Sequence, residues 1–311
     1  MHNIYDAAII GGGMAGLTAG LYAARAGLKA VVFEQFMPGG QAGAIVHLDN
    51  YPGFVGGVDG AGLMTAVLQQ AEDAGCQILY SGVEKLLPAP TAGQPHTLIT
   101  PEGRQQALTV IVCGGALPRK LGLEGEQRLT GHGLSYCATC DAPLYRGKVV
   151  AVTGSGATAV NDALDLAEQA QKVYLLNPRE QLNVVPALRE RLSRAAGVEL
   201  LSNLRVTRLL GERLLEGVEL TDVRTSSISH ELKLDGLFVA LGKSPVSEFL
   251  GDVLELDAKG RVITDEHMRT SRPGIFAAGD VRNTVLRQVV TAAADGAVAA
   301  VSAAAYLRSL G

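Results

Sequence analysis

Two glycine-rich turns, each set between an apolar run and a helical one, restrict what this chain can fold into. The first reads Gly11-Gly12-Gly13-Met14-Ala15-Gly16, after Ala7-Ala8-Ile9-Ile10 and before a helical run from Leu17 to Ala26. Gly27 closes that helix, and Ala30-Val31-Val32-Phe33-Glu34 reads as a second strand ending in a carboxylate. Strand, Gly-x-Gly-x-x-Gly, helix, strand and acid is the order in which a βαβ unit grips a dinucleotide. Gly11 makes the tight turn, Gly13 lets the backbone approach a pyrophosphate, and Gly16 lets helix and strand pack closely. The helix N-terminus turns its free N–H groups toward the phosphates. Glu34 stands where it would accept hydrogen bonds from a ribose.

The pattern recurs. Lys148-Val149-Val150-Ala151-Val152 reads as a strand, Gly154-Ser155-Gly156-Ala157-Thr158-Ala159 as the loop, Val160 to Ala170 as a helix and Val173-Tyr174-Leu175-Leu176 as a strand. The loops are 154 − 11 = 143 residues apart, so Asn177 stands where the first unit has Glu34. A length of 311 residues suits two domains of about 150 each. The expected fold is therefore α/β, with two Rossmann-like, doubly wound dinucleotide-binding units holding two dinucleotides, or one and a vestige.

Between the copies, Pro38-Gly39-Gly40-Gln41 and Asn50-Tyr51-Pro52-Gly53 read as loops close to a ligand, and Leu63 to Ala74 as a helix. Segments around Gln77 to Leu87, Thr97 to Thr100 and Leu108 to Val112 read as a small antiparallel sheet. Further on, Leu237 to Leu241 and Gly274 to Asp280 read as strands, and Thr291 to Leu307 as an Ala-rich helix. Lys and Arg total 27 against 31 Asp and Glu, with no basic block, so nucleic acid is not an expected partner. No signal peptide is read at Met1 to Asp6, and apolar stretches such as Ala297 to Tyr306 fall short of the ~18 residues of a membrane span. No membrane partner is expected, and the expected location is cytoplasmic.

Of four cysteines, two form Cys137-Ala138-Thr139-Cys140, followed at once by Asp141. Two-residue spacing admits a redox disulfide, half a zinc site or two packing residues. Zinc wants four ligands, and His132 is the only imidazole close in sequence, so no metal is expected. Redox use is the favoured reading, with Asp141 placed to move a proton as a thiolate forms or leaves. Cys76 and Cys113 read as packing residues.

These residues occur in the order found in low-molecular-weight thioredoxin reductases, which the chain resembles along essentially its whole length. The resemblance is carried by Gly11 to Gly16, Gly39-Gly40-Gln41, Asn50-Tyr51-Pro52-Gly53, Cys137-Ala138-Thr139-Cys140-Asp141, Phe276-Ala277-Ala278-Gly279-Asp280-Val281, Arg287-Gln288 and Thr291-Ala292-Ala293. It implies an FAD-binding domain from residues 1–114 and 245–311, with an NAD(P)H-binding-like domain, 115–244, inserted into it and carrying the cysteine pair. A two-strand hinge near Cys113 to Pro118 and Gly242 to Pro245 would join them. The resemblance makes Cys140 the sulfur that faces the flavin, Cys137 the one that attacks the disulfide of thioredoxin or a thioredoxin-like protein, and Asp141 the acid. FAD contacts carry over to Gly11, Gly13, Gly16, Glu34, Gln35, Gly39, Gly40, Gln41, Asn50, Asp280, Arg287, Gln288 and Val289. A homodimer is also implied.

One segment departs from the pattern. In the NADPH-using members the strand after the second glycine loop ends in His-Arg-Arg, with a further Arg four positions on, and those cations hold the 2′-phosphate. Here the run is Asn177-Pro178-Arg179-Glu180-Gln181-Leu182-Asn183, and Arg179 alone survives. Each lost charge-assisted bond is worth roughly 1.5–3 kcal/mol, so two losses weaken NADPH binding by about 10²–10⁴. Gly154, Gly156, Ala159 and Arg179 then read as a remnant of a nicotinamide site. Three donors remain open: NADPH, with help from Arg189, Arg191 or Arg194; NADH; or reduced ferredoxin, delivering electrons to the flavin directly. Two other readings stand beside the reductase: a dithiol oxidase passing electrons through FAD to oxygen, and a non-catalytic flavin sensor, which would have no need of Asp141.

Overall fold

The computed structural model describes residues 4–45, 48, 50–250 and 252–311, without the side chains of Thr139, Cys140, Ile228 and Ser229. The chain divides into two compact units, one made of Met1–Leu117 with Ser244–Gly311 and the other of Pro118–Lys243.

In chain order the first unit begins with β1 (Ile4–Ile10), α1 (Met14–Arg25), β2 (Ala30–Phe33), α2 (Gly40–Gly43), α3 (Gly60–Asp73), β3 (Gln77–Leu79), β4 (Lys85–Leu87), β5 (His96–Thr100), β6 (Gly103–Val112) and β7 (Ala116–Pro118). The second unit holds α4 (Glu126–Leu129), β8 (Leu134–Ser135), α5 (Ala138–Asp141), β9 (Val149–Thr153), α6 (Ala157–Ala167), β10 (Lys172–Asn177), α7 (Pro186–Ser193), β11 (Val198–Ser202), β12 (Leu204–Leu210), β13 (Gly217–Asp222), β14 (Ile228–Lys233) and β15 (Gly236–Val239). The chain leaves it through β16 (Lys243–Pro245) and ends the first unit with β17 (Ile275–Ala277) and α8 (Val289–Arg308). The two crossings lie in β7 and β16, which pair as a two-stranded sheet.

The first unit is built on one seven-stranded sheet, ordered β3-β2-β1-β6-β5-β4 with β17 beside β6. The expected antiparallel pairing holds for β4, β5 and the start of β6, but not for the rest of the segments assigned to it. Gln77–Leu79 pairs parallel with β2, and β6 is long enough to serve both parts: residues 103–107 pair antiparallel with β5, while 106–112 pair parallel with β1. Along β1, Ala7 and Ile9 enter one core and Ala8 and Ile10 the other, as a sheet covered on both faces requires. On one face α1 and α8 meet through small residues. A Cβ added at Gly296 would lie 2.1 Å from the Ala15 carbonyl oxygen, so the backbones touch. Among the described residues α8 is also the one helix long and apolar enough to cross a membrane. The estimate of apolar lengths from sequence therefore fell short, although Ala299, Ala300, Ala303 and Ala304 are buried in this unit's core.

The second unit has a five-stranded sheet ordered β11-β10-β9-β15-β8, its paired strands parallel. Val150 and Val152 of β9 join the core under α6, with Ala159, Val160 and Ala163. Ala151 faces the other way, where Leu204, Val206, Val218 and Leu220 of an antiparallel sheet, β12-β13-β14, close the core in place of helices. The sequence reading had not foreseen that sheet.

Candidate functional site

In the first unit the glycine loop is shaped by what a side chain would strike. Gly11 has φ +103°, and a Cβ there would lie 2.5 Å from the Cys113 carbonyl oxygen. At Gly16 it would lie 1.8 Å from the Gly11 oxygen, so helix and strand meet backbone to backbone. At Gly13 it would find nothing nearer than the Gly40 Cα, 4.0 Å away. The first turn of α1 carries no side-chain cap, which leaves its N–H groups for an anion.

Several of the other expected contacts are tied down by hydrogen bonds. The Glu34 carboxylate accepts from the Gly12 N–H at 2.7 Å and the Phe36 N–H at 2.9 Å. Carboxylate oxygens offer about four acceptor sites, so capacity remains for a ribose hydroxyl. Gly39 N–H donates to Gly12 O at 2.8 Å. The Gln41 amide donates to Ala116 O at 2.5 Å. Asn50 Nδ2 donates to Gln288 Oε1 at 3.2 Å, joining positions 238 apart in sequence. Gln288 caps α8 in a capping box with Thr291, and Arg287 and Val289 flank it, half-buried. Gln35 is exposed, its side chain beside Gly82.

Asp280 is not at a strand end, as the sequence reading had it, because β17 stops at Ala277 and a 3-10 turn, Gly279–Val281, follows. A Cβ on Gly279 would lie 3.0 Å from that of Ala15 and 3.7 Å from that of Ala292. The turn bearing Asp280 thus rests against the first turns of both α1 and α8. Two residues missed from sequence pin it. Asp295 Oδ2 accepts from Gly279 N–H at 3.1 Å and from Arg282 Nη1 at 2.9 Å, and Arg282 Nε donates to Thr264 Oγ1 at 2.7 Å. The one signal was an acid inside an alanine-rich helix.

The second glycine loop keeps half of this geometry. Gly154 is crowded by the Ala240 carbonyl oxygen, 2.5 Å from a Cβ, whereas a Cβ on Gly156 would meet nothing within 4 Å. The N-terminus of α6 lacks a side-chain cap, and Ala159 is fully buried under it. The end of β10 differs. Asn177 is 0% exposed, and its amide closes an Asx-turn, accepting from Arg179 N–H at 3.1 Å and donating to Arg179 O at 2.7 Å. Its polar atoms are thus committed to the backbone, while the Arg179 side chain is exposed. The loop folds back through Asn183 N–H to Ser155 O at 2.8 Å. Arg189 donates to Leu182 O at 3.1 Å, and Arg194 pairs with Glu190.

The cysteine segment runs from the loop after β8 into α5, with Cys137 before the helix and Cys140 and Asp141 within it. Cys137 is half-buried and disulfide-bonded, whereas Cys76 and Cys113 are free and buried. The side chain of Cys140 lies outside the described residues. Burial pushes the Cys76 thiol up to about 12 and raises Cys113 further, with the Asp295 charge adding to it. Neither supplies a thiolate at neutral pH. Asp141 accepts a 2.7 Å hydrogen bond from Ser135 Oγ, and Ser135 Oγ accepts one from Cys137 N–H at 3.0 Å. Ser135 is 5% exposed and was not singled out from sequence, where a serine ending a strand carries no signal. Next to it, Tyr136 donates to Glu126 at 2.5 Å. Burial and the Glu126 carboxylate raise the Tyr136 phenol, so it stays protonated.

The profile of the pyridine nucleotide-disulphide oxidoreductase family matches residues 5–296. A thioredoxin reductase of Treponema pallidum is 39% identical over 313 residues, covering 100% of this chain and 99% of the relative. The crystal structure of thioredoxin reductase from Streptococcus pyogenes superposes with a TM-score of 0.80 at 36% identity, over 99% of this chain and 100% of that one. A ferredoxin-flavin thioredoxin reductase from Clostridium acetobutylicum gives a TM-score of 0.54 at 29% identity, over 99% and 100%.

Proposed function

Because the chain belongs to the pyridine nucleotide-disulphide oxidoreductase family, and within it to the low-molecular-weight thioredoxin reductases, we propose that it reduces thioredoxin, or a thioredoxin-like protein, through FAD held in the first unit and a Cys137–Cys140 dithiol. The observation that carries this reading is the disulfide-bonded Cys137, two residues after a serine whose hydroxyl holds the Asp141 carboxylate. FAD, when bound, supplies the electron pair that opens the disulfide. The residues fit it. Gly11, Gly13 and Gly16 form the phosphate cradle, Glu34 retains acceptor capacity for the ribose, and Gly39, Gly40 and Gln41 line the loop packed on that cradle. Asp280 and the Asn50–Gln288 pair frame the first turn of α8, with Arg287 and Val289 beside them.

The chemistry assigned to this chain's own residues is short. The Cys137 thiolate attacks the disulfide of the incoming protein, whose S–S bond breaks as a mixed disulfide forms. The Cys140 thiolate then attacks Cys137 and releases the substrate as a dithiol. Asp141 gives up or takes the accompanying proton.

The donor belongs to the same proposal, and our reading is that NADPH is not the preferred one. Arg179 is the one cation left of the 2′-phosphate motif, which counts against NADPH, whereas the Asn177 amide, closed on Arg179, takes from NADH only the contact to its ribose diol. NADH, held without that contact, and reduced ferredoxin remain. The name of the Clostridium acetobutylicum relative supports the second. A homodimer stays in the proposal on the strength of the resemblance, and a cytoplasmic setting as the expectation read from sequence.

The test is insulin reduction coupled through thioredoxin, with Cys137→Ser and Cys140→Ser as controls and NADPH, NADH and reduced ferredoxin supplied in turn under argon. Full turnover in either serine variant would refute the route through the dithiol. Peroxide production from a small dithiol, without thioredoxin reduction, would favour the oxidase. Rapid flavin bleaching by micromolar NADPH would end the preference against that donor.

A further inference from the structure

Resting on the dithiol reading above, we infer that Ser135 is a positioning residue for the acid: its hydroxyl holds Asp141 in both protonation states by exchanging the direction of its hydrogen bonds. Ser135 Oγ lies 2.7 Å from Asp141 Oδ2, 3.0 Å from Cys137 N and 3.3 Å from Cys137 O. A hydroxyl has one proton to give and two lone pairs to receive. One lone pair is taken by Cys137 N–H. When Asp141 is ionised it only accepts, so the serine proton points at Oδ2, and the Cys137 carbonyl keeps its bond from Asp141 N–H at 3.2 Å. When Asp141 carries a proton on Oδ2, that proton points at the second lone pair of Ser135, and the serine's own proton turns to the Cys137 carbonyl. No heavy atom has to move. Ser135 is 5% exposed, and its place on β8 is set by pairing with β15, Ser135 opposite Phe238.

The consequence is chemical. Opening the disulfide takes two electrons and two protons. With dithiothreitol as reductant, its thiolate attacks one sulfur, the S–S bond breaks, and the departing sulfur takes the proton of Asp141, which becomes a carboxylate. Ring closure of dithiothreitol releases the second protein sulfur, and the protons lost by the reagent complete the protein dithiol and restore Asp141. The charge-assisted bond from Ser135 favours the carboxylate. Removing it leaves Asp141 without the bond that aims its carboxyl, and slows reduction of the disulfide by about tenfold.

Other ionisable groups stand close to this segment. Tyr145, on the turn after α5, is raised by burial and by the charges of Asp141 and Asp235. The Glu126 carboxylate bonds Tyr136. On α6, which packs against α5, Asp162 is pushed to about 7 by burial and by Asp165, close to the pH of the assay. The experiment therefore uses the holoenzyme in the Asp162→Asn background as well as the native one. The rate of reduction of the disulfide by dithiothreitol is followed by thiol trapping at pH 7 for the native protein, S135A, S135T, D141N and the S135A/D141N pair.

The expected results are a rate about tenfold lower in S135A, a near-native rate in S135T, a slowed rate in D141N, and no further loss when S135A is added to D141N. A native rate in S135A overturns the inference, as does a fully additive double variant. If S135A does not fold, S135G takes its place and is read by the same two criteria. Failure of the functional reading looks different, because then Cys137→Ser matches the native protein in thioredoxin reduction.

Discussion

Replacing Asp295 by alanine removes the anchor of the turn that carries Asp280, and the structure sets the size of the loss. Asp295 and Arg282 are 12% and 13% exposed in their side chains and pair at 2.9 Å. Removing one partner of a buried pair leaves the other charge uncompensated and costs about 3–5 kcal/mol. Replacing both is different. Asp295→Ala with Arg282→Met takes the orphan charge away and leaves the Gly279 N–H without its acceptor, a cost of about 1–3 kcal/mol. The double variant should therefore be more stable than the Asp295→Ala single, by chemical denaturation of the flavin-free protein. FAD binding should not recover in step, because the turn is unpinned in both. Loss of one such constraint weakens FAD by roughly tenfold, read by quenching of flavin fluorescence. A double variant no more stable than the single would show that the orphaned guanidinium is not the source of the cost. Native FAD affinity in the double variant would show that Asp295 does not hold the turn.

Two further outcomes follow from single environments. Pro178→Arg with Asn183→Arg restores the cations missing from the loop after β10 and should tighten NADPH by about 10²–10⁴ in anaerobic titration; no gain would mean that this loop does not meet a 2′-phosphate. His96 is 4% exposed and accepts from Ala89 N–H at 3.0 Å, and burial lowers its imidazole from 6.5 to about 4. The unfolded chain therefore binds a proton that the folded one refuses between pH 6.5 and 4. Stability from this group is complete above about 6.5 and declines as the pH falls toward 4, by up to about 3 kcal/mol. His96→Asn should flatten that part of the stability curve, and an unchanged slope would refute the assignment.

Much of this protein is written locally. A glycine required at Gly11 by a positive φ, or at Gly16 by backbone contact, is visible wherever it stands, because the constraint acts on a few consecutive residues. The βαβ period and the Cys-x-x-Cys-Asp run share that property, and both were readable without coordinates. The loss of cations after β10 was readable too, but the reason Asn177 cannot serve a ribose in place of an acid was not, since its amide is spent on a turn whose closure needs the folded backbone.

What depended on distance along the chain had to wait for the fold. Asn50 meets Gln288 across 238 positions, Asp295 holds a turn 16 residues before it, and β6 joins two sheets read separately into one. Ser135 reaches Asp141 only because a two-residue strand and a short helix turn them toward each other. Backbone conformation is dictated by neighbours in sequence, so motifs announce it. A hydrogen bond between side chains is dictated by where packing brings them, and only the folded chain decides that.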